Sequence, residues 1–196
     1  MDQQLNKNLF LIKQHIGLFK AANNFDIYDP LTSQIFLNCR EEKLGFFTKF
    51  FRFTRYKSFT PFHVEIKTTS NEPVVSLQRG ASFGFSPIMI FNEKNIPIGK
   101  LERKFKFGGA KIEIIDASNN SIATLSGNFI GWDFKIKKGE VELATITKKW
   151  AGMGKELFTS ADNYILVIND NVLNDDPIRP FLLSSVLCID FLLKNN

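Results

Sequence analysis

The sequence predicts a mainly-β protein: a closed antiparallel barrel of about 12 strands around a buried hydrophobic helix near the C-terminus. Three observations lead there. Apolar or alternating segments of four to seven residues recur at near-regular spacing, separated by Asn, Gly, Ser and Pro. One late segment is apolar around nearly the whole helical circumference. No stretch rich in Pro, Gly or Ser interrupts the chain. Residues 1–196 therefore read as one domain, with strands over about 9–168 and the central helix over about 177–193.

The strands follow in order. Leu9–Gln14, Phe25–Asp29 and Gln34–Cys39 form a first group, punctuated by Pro30 and Thr32-Ser33. Phe62–Lys67 alternates apolar and polar residues, as a half-buried strand does, and pairs across Ser70-Asn71 with Pro73–Gln78. Ile88–Phe91 and Ile98–Lys104 flank Glu93-Lys94-Asn95. Ala110–Ile115 and Ile122–Leu125 flank Ser118-Asn119-Asn120. Asp133–Lys137 and Val141–Thr147 meet at a tight Lys138-Gly139-Glu140 turn, and Tyr164–Ile168 is the last strand.

Two segments read as helical. The shorter spans Leu44 to about Arg55. The longer follows Asp176-Pro177, an N-cap acid with proline at the first helical position. Its apolar residues, Phe181 through Leu193, face every direction, so the helix belongs in a core or a membrane. The run is 13 residues long and contains Asp190, whereas a spanning helix needs about 20 apolar residues. A strand wall closed around it would bury it and remove the exposed sheet edges. Asp190 then needs a partner from the wall or a place near the barrel mouth.

Phenylalanine is the compositional oddity, at 21 of 196 residues. Phe25, Phe62, Phe134, Phe181 and Phe191 are assigned to wall and plug. Two cysteines, Cys39 and Cys188, make no disulfide scaffold. The N-terminus has no basic n-region or signal-length apolar run, which predicts an intracellular protein. Charge is uneven. Residues 1–111 hold 17 basic and 9 acidic side chains, residues 112–196 hold 8 and 11. The basic half suits an anionic partner.

The C-terminal third carries a resemblance. Lys149-Trp150-Ala151-Gly152, followed by Phe158-Thr159-Ser160-Ala161-Asp162-Asn163-Tyr164, resembles a segment of the phospholipid scramblases. Cys188-Ile189-Asp190-Phe191-Leu192 resembles their terminal hydrophobic helix. Leu11–His15 with Phe25–Asp29 resembles their first strands, and plant LURP-one-related proteins share the layout. The resemblance implies the tubby C-terminal-like fold, a 12-stranded barrel around a central helix. It implies a membrane-associated, lipid-binding protein of the cytoplasmic face of the membrane, with a role in Ca²⁺-stimulated transbilayer movement of phospholipids, and Ca²⁺ as a candidate ion. No covalent chemistry, no required cofactor and no nucleic-acid partner is expected. A monomer is expected, and protein partners are left unspecified.

The richest constellation is residues 43–59. Phe46, Phe47, Phe50 and Phe51 interleave with Lys49, Arg52 and Arg55, and Phe46/Phe50 and Phe47/Phe51 share helical faces. Rings entering the acyl boundary while cations meet lipid phosphates is the behaviour of an interfacial helix. A helix capping one barrel end, with Phe inward, is the plainer reading. Single-stranded nucleic acid, held by stacking and phosphate contact, is a third. Lys100, Arg103 and Lys104, near Phe105 and Phe107, would extend an anionic-lipid patch or form the solvated face of a strand pair. Asp162, Asn163 and Asp170 are the Ca²⁺ candidates that the resemblance supplies, against a plain turn and helix cap. No Cys–His or metal-ligand spacing supports an enzyme. The alternative function is a soluble interaction module that keeps the barrel without lipid transport.

Overall fold

The computed structural model describes residues 3–15, 24–41, 60–81, 86–104, 110–128, 131–148 and 163–189. After a 3-10 turn at Gln3–Asn6 come twelve strands: β1 (Leu9–Gln14), β2 (Phe25–Tyr28), β3 (Ile35–Glu41), β4 (Phe62–Thr68), β5 (Pro73–Arg79), β6 (Ile88–Asn92), β7 (Pro97–Lys104), β8 (Ala110–Asp116), β9 (Ser121–Asn128), β10 (Asp133–Lys138), β11 (Val141–Thr147) and β12 (Asn163–Ile168). Helix α1 (Arg179–Cys188) follows. Each strand pairs antiparallel with its neighbours in sequence, and β1 pairs with β12, so the sheet closes on itself. This is the expected closed antiparallel barrel, with every predicted strand in place.

Alternation builds the wall. On β4, Phe62, Val64 and Ile66 are buried while His63, Glu65 and Lys67 are partly exposed. The same parity aligns Ile12 with Ile27, Ile27 with Leu37 and Leu101 with Ile114, all fully buried. Eight strands give an interior that side chains alone can fill; twelve leave a wider space. Helix α1 fills it, and all ten of its residues are buried. Phe25, Phe62, Phe134 and Phe181 are buried as expected. Gly99 makes room for the plug. A Cβ there would lie 2.9 Å from the Phe181 ring and 2.2 Å from the Ile115 carbonyl oxygen.

The helix starts later than the sequence suggests. Asp176 and Pro177 form a preceding turn, in which the Asp176 carboxylate accepts from the Ile178 N–H (2.9 Å). The first-turn proline is Pro180 and the N-cap is Ile178. The predicted helix from Leu44 to Arg55, and Asp190 with Phe191, lie outside the described residues.

The two ends of the barrel differ. At one end β2–β3, β4–β5, β6–β7, β8–β9 and β10–β11 are joined by two to six residues. Three successive hairpins there repeat one turn. The N–H groups of Asn71, Asn95 and Asn119 donate to the carbonyls of Thr68, Asn92 and Asp116 (2.9, 2.9 and 3.0 Å). Each of these asparagines has left-handed backbone (φ +69°, +57° and +66°), which Asn tolerates better than most residues. At the other end the connections run from four to twenty residues.

Arg179 fixes the helix at the tight-turn end. Its side chain is fully buried. Nε donates to the Leu173 carbonyl (2.6 Å), and one terminal nitrogen to the carbonyls of Leu5 (2.7 Å) and Lys7 (2.9 Å). The other donates to Asn8 Oδ1 (2.7 Å), the Val172 carbonyl (2.9 Å) and Asn174 Oδ1 (3.4 Å). Its partners are neutral oxygens from the N-terminal segment and from the chain after β12. Burial pulls its pKa down and nearby Asp176 opposes that. The guanidinium stays charged and acts as a five-donor staple.

Candidate functional site

Most candidate residues belong to the end with long connections; Lys100 lies further down β7, beside Asp116 and Asn119 of the β8–β9 turn, and Asp170 is at the opposite end. Residues 42–61 join β3 to β4 at the long-connection end, and the seven candidates Phe46, Phe47, Lys49, Phe50, Phe51, Arg52 and Arg55 fall within them. Those seven lie outside the described residues; their flanks, Glu41 and Thr60, are at this rim. The connections after β7 and β11 leave from the same rim, after Lys104 and Thr147. Helix α1 runs from the staple towards it, which brings Cys188 within electrostatic reach of Arg79 at the end of β5.

On β7 the structure separates three cations that the sequence groups together. Lys100, Glu102 and Lys104 share the outer face. Arg103 has the parity of Gly99 and Leu101, faces inward and pairs in register with buried Ile112. Burial lowers the pKa of Arg103. Lys104 Nζ lies 2.8 Å from Glu102 and 3.3 Å from Glu113, and Lys100 lies 3.9 Å from Glu102. The bond to Glu102, then that to Glu113, raises the pKa of Lys104. Glu102 and Glu113 stand directly opposite each other across the β7–β8 ladder, and Lys104 relieves their repulsion. Such exposed pairs hold weakly.

The inner lip of this rim carries further cations over aromatic rings. Arg79 follows the inward parity of Val75 and Leu77, donates to the Thr60 carbonyl (2.9 Å) and lies 4.9 Å from the Phe62 ring centre. Lys148 follows Ile146 off the end of β11. Its Nζ sits 3.7 Å from the Trp132 ring centre and 5.0 Å from that of Tyr164. Arg79, Arg103 and Lys148 thus belong to the mouth where α1 ends. Sequence reasoning missed Arg79 and Lys148. The available signal was parity: each stands two residues beyond a core position of its strand.

A third cluster lies on the outer face at the same rim. Asp26 on β2 accepts from Arg40 (2.5 Å) and lies 2.6 Å from His15 Nε2. Arg40 also donates to the carbonyls of Phe25 (2.6 Å) and Cys39 (3.0 Å). Burial alone would raise the Asp26 pKa; the bonds from Arg40 and His15 outweigh it and hold the carboxyl below its ordinary value. The group ties β1, β2 and β3 together where the chain leaves for residues 42–59.

The Ca²⁺ candidates are divided. Asn163 opens β12 and Asp170 lies beyond its far end. At about 3.3 Å per residue the strand between them spans roughly 20 Å, too far for one ion. Asp170 accepts from Asn8 Nδ2 (3.1 Å), and Asp162 lies outside the described residues. Among the described residues no group of three His, Cys, Asp or Glu side chains is placed to hold a metal. No helix among them is long and apolar enough to cross a membrane.

A family model described as Scramblase matches residues 7–194. The chain belongs to the Scramblase family. An X-ray structure of a protein from Arabidopsis thaliana shares the fold, at a TM-score of 0.57 and 14% identity, over 96% of this chain and 94% of that one. A search of the curated proteins found no match. The family match spans the scramblase-like segments at both ends of the chain.

Proposed function

We propose that this Scramblase-family protein binds the surface of anionic phospholipid membranes through the long-connection rim of its barrel, without covalent chemistry. One observation carries the reading. The connection of residues 42–61, whose sequence carries the Phe/cation stretch, leaves and rejoins the barrel at the rim that holds the mouth cations Arg79, Arg103 and Lys148, and the β7–β8 connection starts and ends at the same rim. In this reading Phe46, Phe47, Phe50 and Phe51 enter the acyl boundary. Lys49, Arg52, Arg55, Lys100 and Lys104 meet head groups from outside, and Arg103 from within the mouth. Each basic residue near an anionic leaflet contributes about 1 kcal/mol.

The protein is then peripheral to a membrane's cytoplasmic face, and any effect on transbilayer lipid movement acts through this contact. Any Ca²⁺ binding would rest on Asp162 and Asn163, without Asp170. Liposome co-sedimentation tests the core of the proposal. Vesicles containing phosphatidylserine should bind the protein, and binding should fall as salt rises. Pure phosphatidylcholine vesicles should bind far less. Equal and negligible binding to both sinks the proposal in favour of a barrel that serves protein partners only.

A further inference from the structure

We infer that the Trp132–Tyr164 side of the barrel mouth is a site for a quaternary ammonium group, the phosphocholine head of a lipid being the ligand class it fits. This rests on reading the mouth as lipid-facing: the many rim cations set affinity for an anionic vesicle surface, and this one site selects a single choline head within it. The two rings pack 5.9 Å apart at 55°, an ordinary tilted pair, and both faces are within reach of one cation. Phe134 stands edge-on behind Trp132, at 6.3 Å and 64°. The walls are rigid, since Tyr164 and Phe134 are each 1% exposed and rooted in β12 and β10. Trp132 is held at φ +49°, a backbone that a bulky residue adopts only when its surroundings impose it. The fold therefore sets the direction of the indole.

The cage already holds a cation. Among the described residues Lys7 lies over Phe36, Lys13 over Tyr28 and Arg79 over Phe62. Lys148 lies over two, with Trp132 closest at 3.7 Å. Its ammonium marks the position that a ligand cation would take. A lysine ammonium is compact and strongly hydrated, so it gives up much solvation to sit there. A trimethylammonium group spreads the same charge over methyl groups and loses less, so it can displace Lys148. The displaced ammonium, on a flexible stem anchored at the cage wall, then stands beside the phosphate that follows in a phosphocholine head. Phosphatidylcholine matches both charges; free choline matches one.

The test uses the full chain with Trp150→Phe, so that fluorescence reports Trp132. The probes are dihexanoyl-phosphatidylcholine below its micellar concentration, dihexanoyl-phosphatidylglycerol and choline chloride. A saturable shift is expected with the choline lipid, at least about tenfold tighter than with either other probe. Lys148→Met should bind choline chloride more tightly than the parent, because the resident cation is gone, and should lose most of the preference for lipid over choline. No saturable shift, equal affinity for the glycerol and choline lipids, or an unchanged choline affinity in Lys148→Met overturns the site. Free choline binding the parent as tightly as the lipid does overturns the lipid head-group assignment. Trp132→Phe gives a second check by direct calorimetry, where weaker choline-lipid binding is expected and unchanged affinity refutes the cage. The probes are monomeric, so failure here is distinct from failure in liposome co-sedimentation.

Discussion

Arg179→Met removes the staple at the tight-turn end while keeping an apolar stem of similar length. Six acceptors lose their donor. Two of the six bonds, to the carbonyls of Leu5 and Val172, are wholly buried, so water cannot replace them. An orphaned buried acceptor costs about 1–3 kcal/mol, and the four part-buried partners lose less because water reaches them. Relief from burying a cation offsets part of the loss. The expected destabilisation is about 3–5 kcal/mol, a large share of the roughly 5–15 kcal/mol typical of a whole domain. With a urea m-value of about 2 kcal/mol/M, the midpoint should fall by about 1.5–2.5 M. Arg179→Lys keeps the charge but replaces a five-donor fork by three donors on one atom, so it should land between the two. Hydrogen exchange should quicken at residues 3–8 and 179–189 together. A midpoint change worth under about 1 kcal/mol for Arg179→Met, or parity of Arg179→Lys with the parent, would refute the staple argument.

Other expectations follow from the same geometry. The Asp26 pKa is lowered in the folded state, so its contribution is present above the unfolded carboxyl value near 4 and is lost as pH falls through the folded value. Asp26→Asn should cost about 1–3 kcal/mol at neutral pH and flatten the acid limb of stability below about pH 4, measured by urea melts across pH. An unchanged acid limb would show that the His15–Asp26–Arg40 group carries none of it. Gly99→Ala drives a Cβ into the Ile115 carbonyl and the Phe181 ring and should cost about 2 kcal/mol or more, whereas Gly80→Ala meets nothing within 4 Å and should be near neutral. Equal thermal midpoints for the two would contradict the close approach of β7 to the plug. Cys39 and Cys188 are fully buried and burial pushes both thiols up, so neither should react with a thiol reagent until the barrel unfolds.

Much of this barrel could be read from residue order because its signals are local. Alternation fixes which face of β4 is inward, and left-handed asparagines at Asn71, Asn95 and Asn119 mark turns that need no distant partner. The helix boundary was harder. Pro177 and Pro180 both satisfy the first-turn rule, and the choice between them is made by Arg179, two of whose four carbonyl partners, Leu5 and Lys7, lie more than 170 residues away in the N-terminal segment. The site was legible in composition and not in geometry. Lys100, Arg103 and Lys104 look alike as a charge run, yet strand parity sends the arginine inward and leaves the lysines outside, tied to Glu102 and Glu113. Lys148 has no meaning until Trp132 and Tyr164, some 30 residues apart, meet across the end of β11.

The polarity of the wall bears on how a scramblase-like protein of this shape could act on lipids. A membrane-spanning barrel turns an apolar band outward and keeps a polar interior. Here the described strands do the reverse. Lys13, Glu65, Lys67, Glu102, Lys104, Glu113, Lys135 and Glu142 occupy outer positions, many of them in ion pairs, while the interior is aliphatic and aromatic and filled by α1. Wrapping that outer face in acyl chains would strip water from each of those charges. Threading a head group through the interior would require removing a helix whose ten residues are all buried and whose first residue is stapled. Neither route suits this wall, and the contact proposed at the rim needs neither. There, cations lie over aromatic rings, the strands are joined by the long connections, and contact with a head group disturbs neither the tight turns nor the staple at the opposite end.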